Sequence, residues 1–565
     1  MIEQKRKMKQ MTTMRMKLGL TIFGLVMTIG LCAQNYPQNY FRNPLNIPMQ
    51  LVANFGEIRA NHWHMGLDIR TQQRVNLPVY AAAEGYIARV SVEPGGFGQA
   101  IYIAHPNGYT TLYGHLNSFT PALAQYVKSQ QYEQESWKVN LTLPPTMFPV
   151  DKGDLIALSG STGASQGPHV HFEIRDTKTE KCLNPLLFGF PIADAVPPTV
   201  SRIAMYDRNR STYLQSPQLI SAGRTIRTGS NRLGFAIGAV DRFSGTNNPN
   251  GIYSARILLD GAPVSGFVLD NIGYDETRYI NAQVDLPYKS RGGGDVQQIT
   301  PLPGARSVAY SFTHPEGVVH LPDEEVHNIV IEVKDTRENT TRRSFSVQYD
   351  PALATAPTVI NSERFLPNNV NVFEEAGFEL FTTEATIYDT VNVVYSSTEK
   401  WSAGAVSAQH SFLSPAIPSH DSVTVRIKPT TAITEDQRDH LIVKNVAGTR
   451  TFIQRGTLQG GWINAKFRQF GSYQAFVDTE PPTVNAPATN LSRSSSISFT
   501  PRDNFNTIRR FRVELDGQWL RFSNNGSRTW SYSFDEHFPR GSHELKVIIE
   551  DEAGNVTTKT WQVVR

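Results

Sequence analysis

Apolar and polar residues alternate in short runs along most of this chain, the period-two signature of strands with one face buried. Between residues 79 and 175 the runs are Val79 to Val92, Gln99 to His105, Leu155 to Ser159 and Val170 to Arg175, with Gly and Pro between them. One stretch breaks the rhythm. Ala122 to Lys128 carries helical spacing behind Pro121, a residue suited to a first helical turn, and Pro144-Pro145 closes the excursion. The segment 120–148 therefore reads as an insertion, either a surface excursion or a lid, since His115 lies just before it.

Beyond Pro191 the pattern is β throughout, and it repeats. Pro197-Pro198-Thr199-Val200 recurs as Ala356-Pro357-Thr358-Val359 and as Pro481-Pro482-Thr483-Val484, each within about seven residues of a preceding Asp. Paired prolines fit neither a helix interior nor a central strand, so these phrases mark linker-to-strand junctions. A second repeat runs from His327 through Asp335 and Asn339 to Phe345, and again from His543 through Asp551 and Asn555 to Trp561, with identical spacing. Each copy reads as strand, tight Asp…Asn turn, strand: the closing hairpin of a β-sandwich. The turn Asp551-Glu552-Ala553-Gly554-Asn555 resembles the C-terminal turn of bacterial immunoglobulin-like domains. Glu338 stands where that copy has Gly554, so a different turn geometry is expected there.

The expected fold class is mainly β: an antiparallel β domain over 34–190 with its insertion at about 120–148, then tandem β-sandwich, immunoglobulin-like domains. The sandwiches are placed at 197–350 and 481–565. Between them, 357–478 is β-rich, lacks the closing-hairpin signature and has no fold assigned to it.

Charge changes the picture at one end. The formal net charge is +3, but residues 1–33 hold six basic residues against Glu3 alone, and the remainder is slightly acidic. A globally basic surface for nucleic acid is thus absent. The basic start precedes an apolar run from Leu18 to Leu31, shorter than the ~20 residues of a spanning helix. With Ala33 as a small residue at the cleavage point, 1–33 reads as a secretory signal peptide. Acylation of Cys32 would need a small residue before it, where Leu31 is bulky. Removal of this segment leaves Cys182 alone, with no intramolecular disulfide possible. No later apolar run is long enough to span, so the expectation is a soluble exported protein in the periplasm or at the cell envelope or surface.

Six of the fourteen histidines fall between 62 and 171. His169 and His171, one residue apart in a strand pattern, share a face; so do His64 and Asp68 if their segment is extended. A hydrolytic zinc takes three protein ligands, His or carboxylate, and keeps a fourth position for water. These four residues supply three ligands with one histidine to spare, and His115 adds another. His62 shares strand parity with His64 and is read as an outer or surface residue. Glu173 continues the His169–His171 face, as an acceptor for an imidazole or as a salt-bridge partner. Tyr113 is read as packing, and His105, before Pro106-Asn107-Gly108, as a solvated loop residue.

Four ordered motifs carry a family resemblance: His64-Met65-Gly66-Leu67-Asp68-Ile69, Tyr113-Gly114-His115-Leu116, Gly153-Asp154-Leu155-Ile156-Ala157, and Gly160-Ser161-Thr162-Gly163 leading to Gly167-Pro168-His169-Val170-His171-Phe172-Glu173. Residues 56–175 resemble the lysostaphin/LytM-type zinc endopeptidases, which cut peptide cross-links in bacterial cell walls. The resemblance implies one Zn2+ per chain on His64, Asp68 and His171, with His115 and His169 as the catalytic pair. It implies peptidoglycan or its stem peptides as substrate, with the β domains positioning the enzyme or meeting an envelope protein partner. The insertion at 120–148 departs from the family pattern. The rival expectation is a non-catalytic envelope scaffold, or an activator of another wall hydrolase, because the β domains far outweigh the small catalytic module.

Overall fold

The structure is a computed structural model that describes residues 36–221, 223–313, 316–354, 362–399 and 402–565. The signal-peptide reading, Cys32 and the phrase at 356–359 lie outside the described residues.

The first part of the chain builds a nine-stranded antiparallel sheet, with Leu67–Arg70, His169–Asp176, Tyr109–Gly114, Gln99–Ala104 and Gly85–Val92 adjacent in that order. The apolar run Val79 to Val92 is split. Pro78–Tyr80 leaves this sheet and joins Leu155–Ser159 and Leu116–Phe119 in a three-stranded second one. Side chains of both sheets, including Val79, Ile87, Leu116, Ile156 and Val170, meet in one core. The insertion forms the helix Pro121–Glu133, started by its proline, and buries Leu123, Val127 and Gln131. Its remaining face is free for another part of the chain.

Residues 199–349 form a five- and a six-stranded sheet that share a core, as the contact of Phe235 with Phe345 illustrates (ring centroids 5.6 Å apart). Residues 364–477 add two five-stranded sheets, and 496–564 a four-stranded sheet with a two-stranded partner. Both repeated hairpins are present, Val326–Lys334 with Thr340–Tyr349 and Ser542–Glu550 with Val556–Val564. Their turns match: Glu338 (φ +66°) and Gly554 (φ +86°) both adopt the left-handed conformation. The expected difference in turn geometry is absent, because Glu338 accepts the conformation that glycine takes freely.

Two docking contacts position the site. Phe55, Trp63, Met65 and Cys182 belong to the same apolar cluster as the 199–349 sheets. Trp63 is fully buried there and its indole N–H donates to Gln283 Oε1 at 2.9 Å; truncating such a side chain to alanine costs about 3–5 kcal/mol. Asn54 exchanges two hydrogen bonds with the backbone of Gly251, both 2.8 Å. At the other contact, the C-terminal unit sits on the insertion helix. Tyr132 stacks on His537 with centroids 3.6 Å apart and meets Trp519 edge-on. Lys128 pairs with Asp535 and Glu536, and Arg512 with Glu135. Exposed ion pairs of this kind contribute at most about 1 kcal/mol each, so the aromatic stack is the firmer part of the contact.

Candidate metal centre

Register brings the predicted residues together. The antiparallel pairing of His169–Asp176 with Leu67–Arg70 sets His171 opposite Asp68, and pairing with Tyr109–Gly114 sets it opposite Gly114, just before His115. His64 arrives from the turn preceding Leu67. Gly66 makes that approach possible, since a Cβ there would lie 2.5 Å from Phe172 O and 2.9 Å from His171 Nε2.

His64 Nε2, Asp68 Oδ1 and His171 Nδ1 form a triangle with sides of 3.0, 2.9 and 3.1 Å. The opposite nitrogen of each ring is already committed. His64 Nδ1–H donates to Asn54 O at 2.7 Å, and His171 Nε2–H donates to Glu173 Oε1 at 2.9 Å. Carbonyl and carboxylate oxygens only accept, so both rings turn a lone pair toward Asp68. Three acceptor atoms this close repel unless a cation lies among them. Without a cation, burial opposes charge on His171 while Asp68 and Glu173 raise its pKa to about 9. Burial likewise opposes charge on Asp68, yet the surrounding His64, His169 and His171 hold it well below the usual carboxylate range. A tetrahedral zinc with ligand distances near 2.0–2.1 Å sets its ligand atoms roughly 3.3 Å apart, close to the triangle present here. The donor set therefore fits zinc.

His115 and His169 lie beside this triangle, with ring centroids 4.6 Å apart. His115 Nδ1–H donates to Thr162 O and His169 Nδ1–H to Gly167 O, both at 2.8 Å. Each ring is thereby anchored through Nδ1 with Nε2 left free of that anchor, and His169 Nε2 stands 3.4 Å from Asp68 Oδ1. Burial, then the nearby His171 and His169, lower His115 to about 3, so it is a neutral base. Its backbone is left-handed (φ +59°), a conformation costing roughly 1–3 kcal/mol for a non-glycine residue. The bond from His115 N–H to Phe97 O at 2.8 Å holds it there. His64, Asp68, His115 and His171 are all buried.

Other assignments resolve individually. His62 is exposed and its ring bonds to Ala60 O. Tyr113 is a core residue whose hydroxyl accepts from Ala82 N–H and Thr111. His105 is not a solvated loop residue: it is buried, bonded to Glu84 O and Thr111 Oγ1, and packed edge-on against Phe41. The turn after it is exposed, but its ring points into the core. Glu173 plays both parts foreseen for it, accepting from His171 and pairing with Arg175 at 2.6 Å, and it sits inside the strand rather than at its end.

Several contributors left no local signal in the sequence. Asn54, Thr162 and Gly167 act through backbone carbonyls, which any residue carries. Arg59 comes within 3.6 Å of Asp68 Oδ2. Tyr274 belongs to the 199–349 unit, yet its hydroxyl donates to Glu173 Oε1, the same oxygen that holds His171. Tyr274→Phe is expected to weaken metal affinity by about tenfold, the low end for partners of a ligand. Chelator competition on the purified protein reads this, and unchanged affinity would deny Tyr274 any part in orienting His171.

Among the described residues, no helix is long and apolar enough to cross a membrane. No hydrogen bond or ion pair among them joins residues 120–148 to the five site residues.

Comparison with known proteins divides the chain. Residues 62–132 match the model of peptidase family M23, and residues 362–478 match that of a Zu5-like domain, which supplies a likeness for the stretch whose fold the sequence left open. An uncharacterized metalloprotease of Haemophilus influenzae is 31% identical over 167 residues, 29% of each chain. The DD-carboxypeptidase/endopeptidase Mpg of Neisseria meningitidis serogroup B is 35% identical over 112 residues, 20% of each chain. The peptidoglycan DD-endopeptidase ShyB of Vibrio cholerae is 31% identical over 111 residues, again 20% of each. The chain thus spans less than a third of the length of these relatives.

Proposed function

We propose that this chain, whose N-terminal domain belongs to peptidase family M23, is an exported zinc-dependent endopeptidase that cuts peptide cross-links of bacterial peptidoglycan at the cell envelope. The observation that carries the reading is the triangle of His64 Nε2, Asp68 Oδ1 and His171 Nδ1 with two anchored imidazole rings beside it. Relatives named for DD-endopeptidase activity favour wall peptides as the substrate class.

His64, Asp68 and His171 would hold the zinc, which when bound supplies Lewis acidity and lowers the pKa of a water from 15.7 to about 7. His115 and His169 do the proton work. Each offers Nε2 as an acceptor while its Nδ1–H is anchored on a carbonyl, so the ring cannot turn away. One accepts the proton of the attacking water and delivers it to the departing amine; the other, entering the step as imidazolium with a proton taken from solvent, donates a hydrogen bond to the developing oxyanion. Exclusion of bulk water around the buried rings strengthens each of these interactions. The test is disappearance of cross-linked muropeptides on incubation with the protein, blocked by a chelator and restored by zinc. A zinc-replete protein that leaves both muropeptides and glycine-rich peptides intact would overturn the assignment.

One observation favours restraint of this activity by the C-terminal unit. Asn525 accepts a hydrogen bond from Gly163 N–H at 2.8 Å, next to the Thr162 carbonyl that orients His115. It occupies a backbone donor on the rim that a peptide substrate would otherwise meet. Charge reversal at Lys128 and Arg512, which face Asp535, Glu536 and Glu135, is expected to loosen this contact and raise kcat/KM several-fold. Equal or lower activity in that double variant would leave the C-terminal unit a support rather than a restraint.

A further inference from the structure

The repeated Asp before each Pro-Pro phrase has no part in the hydrolytic centre, and the fold gives it company. Asp194, in the linker ahead of Pro197-Pro198, meets Asp241, just past the strand Arg232–Val240, and Asp335, in the closing-hairpin turn. One carboxylate oxygen from each lies within 4.8 Å of the others. Like charges so close require a counter-charge, yet among the described residues none of the three forms an ion pair. Arg337 is nearby, but its guanidinium donates to Phe190 O at 2.8 Å.

Unsatisfied oxygens point to what is missing. Asp241 is 2% exposed and its Oδ1 has no hydrogen-bond partner; Asp194 Oδ2 is likewise buried and unpartnered. A neutral group adds independent support. Asn250 is 3% exposed, and its side-chain oxygen is also unpartnered. Asn250 pairs with Asp241 across a narrow antiparallel bridge, each N–H donating to the other's carbonyl at 2.9 Å. Directly opposed residues project their side chains from the same face, so the Asn250 side chain leaves the bridge on the side of the Asp241 carboxylate. Its nitrogen is engaged with Asn248 O at 3.1 Å, which fixes the flip. Asp335 is held in place by Arg337 N–H and Asn339 N–H on Oδ1 and by the Asn339 amide on Oδ2, and Oδ2, which accepts once, keeps a further lone pair.

We propose that the junction between the catalytic domain and the 199–349 unit is a binding site for a calcium-class divalent cation, held by Asp194, Asp241, Asp335 and the side-chain oxygen of Asn250. The donors are all oxygen, three of them anionic, a set that suits a hard cation and discriminates against zinc. The bound ion would clamp the linker onto the unit that carries Tyr274.

The second junction repeats the plan. Asp478, Asp503 and Asp551 converge in the same way, and Asp503 Oδ1 is buried without a partner. Asn555 bonds Asp551 and the Asp478 carbonyl, as Asn339 bonds Asp335 and the Asp194 carbonyl. There, however, Asn504 already donates to Asp478 at 2.9 Å, so the first junction is the stronger site. Without an ion, burial and then the Asp194 and Asp335 charges push Asp241 up to about 7, and protonation of this carboxyl is the competing account.

The test is calcium titration of the zinc-loaded full chain by calorimetry, with magnesium as a parallel arm and thermal unfolding as a second readout. Calcium should bind with Kd of about 10⁻⁵–10⁻³ M and raise Tm. Asp241→Asn should weaken this event by about tenfold or more with zinc content unchanged, and Asn250→Ala should weaken it as well, while Asp503→Asn leaves it in place. Preference for magnesium over calcium would overturn the choice of ion. No calcium-dependent heat or Tm shift, or affinity unchanged in both Asp241→Asn and Asn250→Ala, would overturn the site. So would a parent protein indifferent to calcium whose Asp241→Asn variant is the more stable of the two at pH 7, which would mark Asp241 as a protonated carboxyl.

Discussion

Asp68→Ala is expected to empty the metal centre and abolish hydrolysis. Asp68 Oδ1 is the atom on which the site converges, 3.0 Å from His64, 2.9 Å from His171 and 3.4 Å from His169. It is also the only anion among the five residues. Its removal leaves two imidazoles to hold a dication in a buried place, where charge without a counter-charge is most costly. Loss of a mere partner of a ligand costs 10–100-fold in affinity, so loss of the ligand itself should exceed about a hundredfold. Zinc stoichiometry after dialysis measures this directly: the parent should keep one ion per chain and the variant almost none. Stoichiometric zinc in Asp68→Ala would mean that the ion lies elsewhere. The β-ladder around position 68 is made by backbone groups, so the variant should fold.

His115→Ala should separate chemistry from metal binding. No side-chain bond links His115 to the triangle; its ring is anchored on Thr162 O. The variant should therefore retain zinc while kcat falls by about 10²–10⁴, the range for a lost proton-transfer group. His169→Ala should fall in the same range, and the double variant little further, because residues acting as one unit are strongly non-additive. Loss of zinc in His115→Ala would reassign it from proton transfer to metal retention. The left-handed backbone at His115 adds a second expectation. Alanine cannot adopt it any more easily than histidine, so His115→Gly should be the more stable of the two replacements.

What was legible in the sequence follows from the reach of each interaction. Strand parity placed His169 and His171 on one face, a local rule; His64 was joined to Asp68 on the premise of an extended segment, whereas residues 64–66 turn ahead of Leu67–Arg70 and it is that turn that brings His64 to Asp68. The helix behind Pro121 was equally local. Tyr274 reaches Glu173 across a hundred residues of chain, and nothing near either residue announces the partner. His105 was misread because exposure was inferred from the Pro106-Asn107-Gly108 turn next to it, whereas its own ring follows the strand pattern inward. Glu338 was misread for a related reason: glycine's preference for a left-handed turn was treated as a requirement. The role of the insertion was open in the sequence, because a lid and a bracket have the same composition. The docking of its helix on the C-terminal unit, through Tyr132 and His537 among others, left no signal in the sequence.

The burial of Trp63 against residues of the next unit has a practical corollary for protein engineering. A hydrolytic module excised at the linker would carry a naked indole with Phe55 and Met65 beside it, a sticky seam that invites self-association. Fusions built from this chain should therefore keep the N-terminal domain together with the units that share this cluster, or else replace that seam with polar side chains before the shorter fragment is made.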